Sequence, residues 1–160
     1  MGRRSTNEKK NIYWISREEA GLTRDAAAEK MEYVSTDRIE RIEYEKSDPH
    51  PDEVLRMAEC YNKPSLCNYY CSHDCPIGQV YVPAVEEKSL SQITVEMLNT
   101  LNILNDEKNR FLQIVVDGQL SESEVEDFDR IQKELEQMAM IIDSLRLWSD
   151  NLAAKGDKGN

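Results

Sequence analysis

Up to about residue 62 the apolar positions come in short clusters, each closed by a turn signal. Beyond residue 89 they recur at steps of three and four over two long stretches. The clusters predict short helices. A first run, from Asn11 to Ala20, ends at Gly21, which suits a left-handed C-cap. Thr23 caps a second run to Met31, in which Ala26-Ala27-Ala28 combines high helix propensity with side chains small enough for close contact. After a break at Glu32, Tyr33 and Val34, Ser35 caps a third run from Thr36 to about Glu45. There Ile39 and Ile42 point inward, and Arg38, Glu40 and Arg41 are left for solvent or a ligand. Ser47-Asp48-Pro49-His50-Pro51 reads as a loop, with Pro51 as the first residue of a fourth helix carrying Val54, Leu55, Met57, Ala58 and Tyr61.

In the back half, Leu90, Met97, Leu101, Leu104, Phe111 and Val115 form a stripe that Ile93, Leu98 and Leu112 widen, which predicts a long amphipathic helix with coiled-coil-like spacing. Asp117-Gly118 breaks it. Ser121-x-x-Glu124 has the form of a capping box opening a second long helix. Its stripe is Phe128, Ile131, Leu135, Met138, Ile142, Leu145 and Leu152, with Val125, Ile141 and Trp148 beside it. The pair predicts an antiparallel hairpin whose stripes are wider than a two-stranded seam requires. The remainder must be buried against the N-terminal domain or a second copy, and we take the second. Gln79–Val85 reads as extended. The expected fold is all-α: a basic leader over 1–10, a four- or five-helix domain over 11–66, a Cys-rich connector over 67–88, the hairpin over 89–154 and a disordered tail over 155–160.

Composition narrows the function. The chain has 160 residues, 39% hydrophobic and 32% charged, with 6 Gly and 5 Pro, enough for modest cores and too short for most multidomain enzymes. No apolar run reaches the roughly 18 residues of a membrane span. The start, MGRRSTNEKKN, lacks the apolar stretch of a secretory signal, so a cytoplasmic protein with no membrane partner is expected. Net charge is −11, and residues 89–160 hold 14 Asp and Glu against 7 Lys and Arg, while residues 1–50 are nearly balanced at 11 against 10. Such a chain repels phosphate as a whole, so any nucleic-acid contact must use a local basic face in the N-terminal third. Arg3, Arg4, Lys9 and Lys10 in the leader read first as a flexible terminus and second as an arm toward a groove. Paired catalytic carboxylates, a phosphate loop and a nucleophile elbow are not recognisable, so no enzyme is expected.

Residues 17–62 resemble the helix-turn-helix domain of the lambda-repressor-like, or xenobiotic-response-element, family. The resemblance is carried by Arg17-Glu18 ending helix one, Gly21-Leu22-Thr23 opening helix two, Ala28 within it, Ile39 and Ile42-Glu43 in helix three, and the Pro-led helix from Pro51 to Tyr61. Where the family commonly has Gly in the turn, this chain has Glu32-Tyr33, and the turn is one residue longer. The resemblance implies that helix two crosses a DNA backbone and helix three lies in the major groove of double-stranded DNA. It places Thr36, Asp37 and Arg41 at base edges and Arg24, Arg38 and Lys46 toward phosphates. Arg41 suits guanine, Thr36 a base edge or thymine methyl, and Asp37 the amino group of cytosine.

All 4 cysteines fall between residues 60 and 75. Cys67, Cys71, His73 and Cys75 form a C-x3-C-x-H-x-C run offering three thiolates and an imidazole, suited to tetrahedral zinc, or to an iron–sulfur centre with Cys60 recruited. Structural free thiols, with Cys60 packed as a small hydrophobe, or a disulfide from Cys75 to Cys67 or Cys71, are the alternatives. Asp117-Gly118 followed by Glu124 imitates half a calcium loop, but Gln113 and Val115 stand where early carboxylates are needed, which excludes calcium. The function expected is a sequence-specific DNA-binding transcriptional regulator acting as a homodimer, its hairpin serving dimerisation or a protein partner. The alternatives are an interaction adaptor that keeps the scaffold without reading DNA, and a metal- or redox-responsive switch. The DNA reading requires Arg38 and Arg41 to be free for a duplex.

Overall fold

The computed structural model describes residues 10–116 and 118–156; the leader residues 1–9 and the last four residues of the expected tail lie outside them. Among the described residues the structure is helical, with no strand. The chain divides into two units: residues 1–84 with 150–160, and residues 85–149.

The first unit opens with four helices. The second and third take the caps expected at Thr23 and Ser35, while Asn11, read only as the start of the first run, is itself the cap of the first helix. In α1 (Ile12–Glu19) the Asn11 side chain accepts from the Trp14 N–H. Thr23 does the same for Ala26 at the start of α2 (Arg24–Met31), and Ser35 for Arg38 at the start of α3 (Thr36–Glu43). Helix α4 (Pro51–Tyr61) begins at Pro51, and Glu53 reaches back to accept from the His50 N–H at 2.7 Å. Gly21 takes φ +69° between α1 and α2, the conformation its missing Cβ allows. Tyr13, Ala27, Ile39, Ile42, Val54, Met57 and Leu66 meet in one buried core. The Ile39/Ile42 phase of α3 and the Val54/Met57/Ala58 phase of α4 are both the inward faces that the spacing predicts.

The turn between α2 and α3 is where the glycine is missing. Glu32 has φ +63° and ψ −51°, and the Tyr33 N–H donates to the Met31 carbonyl at 2.7 Å. A two-residue hydrogen bond around a positive φ is a γ-turn, a strained conformation for a residue with a side chain. The longer turn is thus absorbed at one residue rather than spread along α3.

Beyond α4 the connector is more ordered than expected. Helix α5 (Ser65–Tyr69) continues into a π-helical turn (Tyr70–Asp74), closed by the Cys75 N–H on the Tyr70 carbonyl at 2.9 Å. The extended reading of Gln79–Val85 is corrected at its start, because a short helix α6 (Gly78–Tyr81) follows Pro76. Gly78 is required there by proximity: a Cβ would sit 1.9 Å from the Cys71 carbonyl oxygen.

The second unit contains α7 (Leu90–Val115) and α8 from its start (Val125–Gly156) to Ser149. Ser89 and Gln92 form a capping box on α7. Half of the expected box at Ser121 forms: the Glu124 carboxylate accepts from the Ser121 N–H at 3.1 Å and also from Ser121 Oγ at 2.6 Å, and the helix itself starts at Val125. Near the turn, Arg110 pairs with Asp127 at 2.6 Å and Arg130 with Glu107 at 3.0 Å, while the Phe111 and Phe128 rings lie 6.5 Å apart. These partners run in opposite order along the two helices, so the hairpin is antiparallel. Its seam differs from the expected stripe. Ile93, Thr100 and Ile114 of α7 and Ile131, Ile141, Ser144 and Leu147 of α8 are buried, while Leu90, Leu101, Val115, Leu135 and Ile142 are exposed. Half of the expected stripe does lie in the seam, since Ile131 is buried and Met97, Leu104, Phe111, Phe128, Met138 and Leu145 are half-buried, while Leu101, Val115, Leu135 and Ile142 turn outward because an adjacent residue faces the partner helix instead. Among the described residues no helix is long and apolar enough to cross a membrane.

Replacing Glu32 by glycine removes the side-chain strain of the γ-turn. Glu32→Gly is expected to raise the unfolding free energy by about 1 kcal/mol in urea denaturation, and Glu32→Ala to give no such gain. A glycine variant no more stable than the alanine one would refute the strain.

Candidate nucleic-acid interface

The surface that α2 and α3 present rests on a buried charge cluster. Ile39, Ile42 and Glu43 share the inward phase of α3, so the sequence carries a carboxylate into the core. The Glu43 side chain is fully buried, and Arg17 grips it with both ends of its guanidinium, Nε to Oε1 at 2.5 Å and Nη2 to Oε2 at 3.0 Å. Arg24 Nε donates to the same Oε2 at 2.7 Å. Arg17 also donates from Nη1 to the Leu22 carbonyl at 2.6 Å, so one carboxylate ties α1, the Gly21 turn, α2 and α3 together. The Arg24 guanidinium is further packed on Trp14 and Tyr44, 5.0 and 5.1 Å from their ring centres.

This corrects two assignments. Arg24, expected to face phosphate, is held inward by Glu43 and the two rings. Arg38, also expected to face phosphate, is spent wholly within the domain: Nε and Nη2 donate to Glu53 at 2.7 Å each, Nη1 to Ser47 Oγ at 2.6 Å and Nη2 to the Asp48 carbonyl at 2.8 Å. It fastens the first turn of α3 and the loop that follows α3 to the start of α4. Glu43 is kept off the outer face of α3 by burial.

The remaining assigned residues stay at the surface. Arg41 is exposed on α3 and makes no ion pair among the described residues. Asp37 is exposed in the first turn, and Thr36 donates its hydroxyl to Asp25 of α2 at 2.9 Å. Lys46 lies just beyond α3 with its ammonium 5.1 Å from the Tyr44 ring centre. Arg56 was not legible from the sequence as part of this surface. It is exposed on α4, and contact with Tyr33, 5.6 Å from its ring centre, brings it to the turn before α3 while Glu59 pairs with it at 3.1 Å. Arg41, Lys46 and Arg56 therefore share the surface with Asp37, Glu40 and Glu45.

The cysteines do not assemble a metal centre. Among the described residues no three His, Cys, Asp or Glu side chains are placed together to hold an ion, so the structure does not bring Cys67, Cys71, His73 and Cys75 into one site. The π-helical turn rotates His73 away into a stack on Tyr69, 4.3 Å between ring centres, with Nδ1 within 2.8 Å of Ser72 Oγ. All four cysteines are free and half-buried. Burial pushes the Cys60 and Cys67 thiols up, the latter with help from Cys71, so both are protonated and unreactive at neutral pH.

Two measurements test the charge cluster. Glu43→Gln leaves two arginines against a neutral amide and is expected to cost about 3–5 kcal/mol of stability; a loss below 1 kcal/mol in chemical denaturation would contradict the tie. Glu53 behaves differently with pH. Burial works to raise its carboxyl, yet the Arg38 hydrogen bonds and the His50 N–H hold it below the usual range. A depressed folded-state value makes the stabilisation complete above the ordinary carboxyl range and lost as pH falls through the folded value. Glu53→Gln is expected to cost about 1–3 kcal/mol at pH 7, with the gap to the parent closing below about pH 4. A gap that stays constant down to pH 3 would show that the ion pair does not stabilise the fold.

In comparison with known proteins, a helix-turn-helix family model matches residues 16–65. No curated protein and no solved structure matches the chain. The matched segment runs from the end of α1 to the first residue of α5 and contains the Arg17, Arg24 and Glu43 cluster. Residues 16–65 thus match a helix-turn-helix family model, in line with the resemblance of residues 17–62 to the lambda-repressor-like helix-turn-helix domain.

Proposed function

We propose that the chain is a transcriptional regulator that binds duplex DNA through α3. The observation that carries this reading is the placement of Arg41. It stands outward and unpaired on the third helix of a helix-turn-helix domain in which Arg24 and Arg38 are consumed by the scaffold. In this reading α3 enters the major groove, Arg41 donates to guanine O6 and N7, Thr36 contacts a base edge and Asp37 accepts from cytosine N4. Lys46 and Arg56 face phosphates, and two copies meet paired half-sites. Nothing in this activity calls for catalytic chemistry, and the domain acts inside the cell where DNA is.

A second reading is supported by the same surface. Asp37, Glu40 and Glu45 crowd Arg41, a charge mixture that suits a protein partner better than a phosphate backbone. In that case the domain is an interaction adaptor.

The two readings separate under salt. With three outward cations per half-site, a DNA reader is expected to show log K falling with log salt at a slope of about −3 per half-site, at ~0.9 per phosphate contact. Arg41→Ala is expected to weaken a site selected from a random duplex pool by about 1–3 kcal/mol and to relax preference at one G·C pair. Recovery of no preferred duplex, even at low salt, would leave the adaptor reading in place.

A further inference from the structure

We infer that Asp25 is a specificity-determining residue: by taking the hydroxyl proton of Thr36, it makes the first turn of α3 a reader of base amino groups. This role rests on the DNA reading of α3 and says which base edges that helix accepts.

Thr36 Oγ1 donates to Asp25 Oδ1 at 2.9 Å, across 11 positions of the chain. Chemistry fixes the direction of that bond, since an ionised carboxylate has no proton to give. A hydroxyl has one hydrogen and two lone pairs. With the hydrogen committed to α2, Thr36 keeps only lone pairs for a group approaching from outside, and its χ1 is held as well. Asp37, exposed at the next position, is a carboxylate and likewise only accepts. Arg38, the third residue of the turn, donates inward to Glu53, Ser47 and the Asp48 carbonyl. The first turn of α3 therefore offers acceptors outward and no side-chain donor.

The bond is braced from both ends of α3. Arg24 and Asp25 are consecutive on α2. Arg24 binds Glu43, the last residue of α3, at 2.7 Å, and Asp25 binds Thr36, the first. Helix α3 cannot roll or slide along α2 without breaking one of the two. On a helix that crosses a DNA backbone, an exposed carboxylate such as Asp25 repels phosphate and weakens binding to every sequence. Control of the Thr36 hydroxyl gives it a use there.

Base edges turn this polarity into sequence. In the major groove each base pair shows one amino group, on adenine or on cytosine, while guanine and thymine show no donor. An acceptor-only hydroxyl is satisfied by A or C on the strand it faces, and meets acceptor with acceptor when G or T stands there. Arg41, about one turn further along, has only donors and suits guanine. One copy of α3 is therefore expected to read A or C opposite Thr36, C opposite Asp37 and G opposite Arg41. Without the Asp25 bond the hydroxyl can rotate and donate to guanine O6 or thymine O4 equally well, and the choice at that pair disappears.

Affinities of the full chain for a duplex selected from a random pool, and for every single-pair change of it, test this role. Thr36→Val removes the hydroxyl at nearly constant shape, and the pair at which it alters the ranking is the one Thr36 reads. At that pair the parent is expected to prefer A or C over G or T on one strand by at least about fivefold. Asp25→Ala is expected to bring the four bases within about twofold of one another there and to leave the ratios at other pairs unchanged. The lost charge also strengthens binding, but equally for all sequences, so it does not touch the ratios. Asp25→Ala/Thr36→Val is expected to match Thr36→Val in its ratios, because both changes remove the same discrimination. Position 25 is exposed and alanine favours a helix, so circular dichroism is expected to show unchanged helicity. A Thr36→Val variant that alters no pair, a parent that prefers G or T at the pair read, or an Asp25→Ala variant that keeps the parent's ratios would overturn the role of Asp25 and leave the DNA reading standing. A parent for which no duplex can be selected would overturn the DNA reading, and this role with it.

Discussion

One carboxylate in a dry core holds the N-terminal domain in register. Glu43 has no access to water, so its charge must be met inside, and Arg17 and Arg24 meet it from two different helices. Each arginine then has a second duty, Arg17 to the carbonyl of Leu22 and Arg24 to the faces of Trp14 and Tyr44. The angle between α2 and α3, on which any use of α3 depends, is fixed by groups that cannot move without leaving a buried charge alone. Arg38 and Glu53 repeat the device at the partly exposed junction of α3 and α4.

This economy sets the electrostatics of the recognition surface. Cations that composition would credit to a DNA-binding face are used to build it, and Arg41 is left to act outward among carboxylates. On the proposed DNA reading, discrimination would come from directed contacts rather than from general attraction to phosphate. The surplus of carboxylates in residues 89–160 adds to the repulsion of phosphate.

Much of the domain was legible because local rules and tertiary contacts agree. Asn11, Thr23 and Ser35 cap where caps are needed, Pro51 starts α4, and the Ile39/Ile42 phase finds the core. What was missed came from residues with two plausible addresses. An arginine at Arg38 reads as solvent-facing until Glu53, fifteen positions on, is seen to approach it, and no periodicity links them. The cysteine spacing suggested ligands because straight-helix geometry was assumed; the π-helical turn alters the phase after Tyr69. In the hairpin the Met97, Leu104, Phe111 and Phe128, Ile131, Met138, Leu145 positions are legible as seam, but the alternate positions Leu101 and Ile142 yield to their neighbours Thr100 and Ile141, a choice that hydrophobicity alone does not make.

The packing of Arg24 on Trp14 has an optical consequence. The protein has 2 tryptophans, and they fall in different units: Trp14 against the guanidinium of the charge cluster, Trp148 in the hairpin. Indole emission responds to a nearby cation and to the entry of water, so Trp14 is a built-in reporter of the arginine and glutamate tie. A chain keeping only that indole makes the melting of the first unit visible by colour, separately from the helices that follow it.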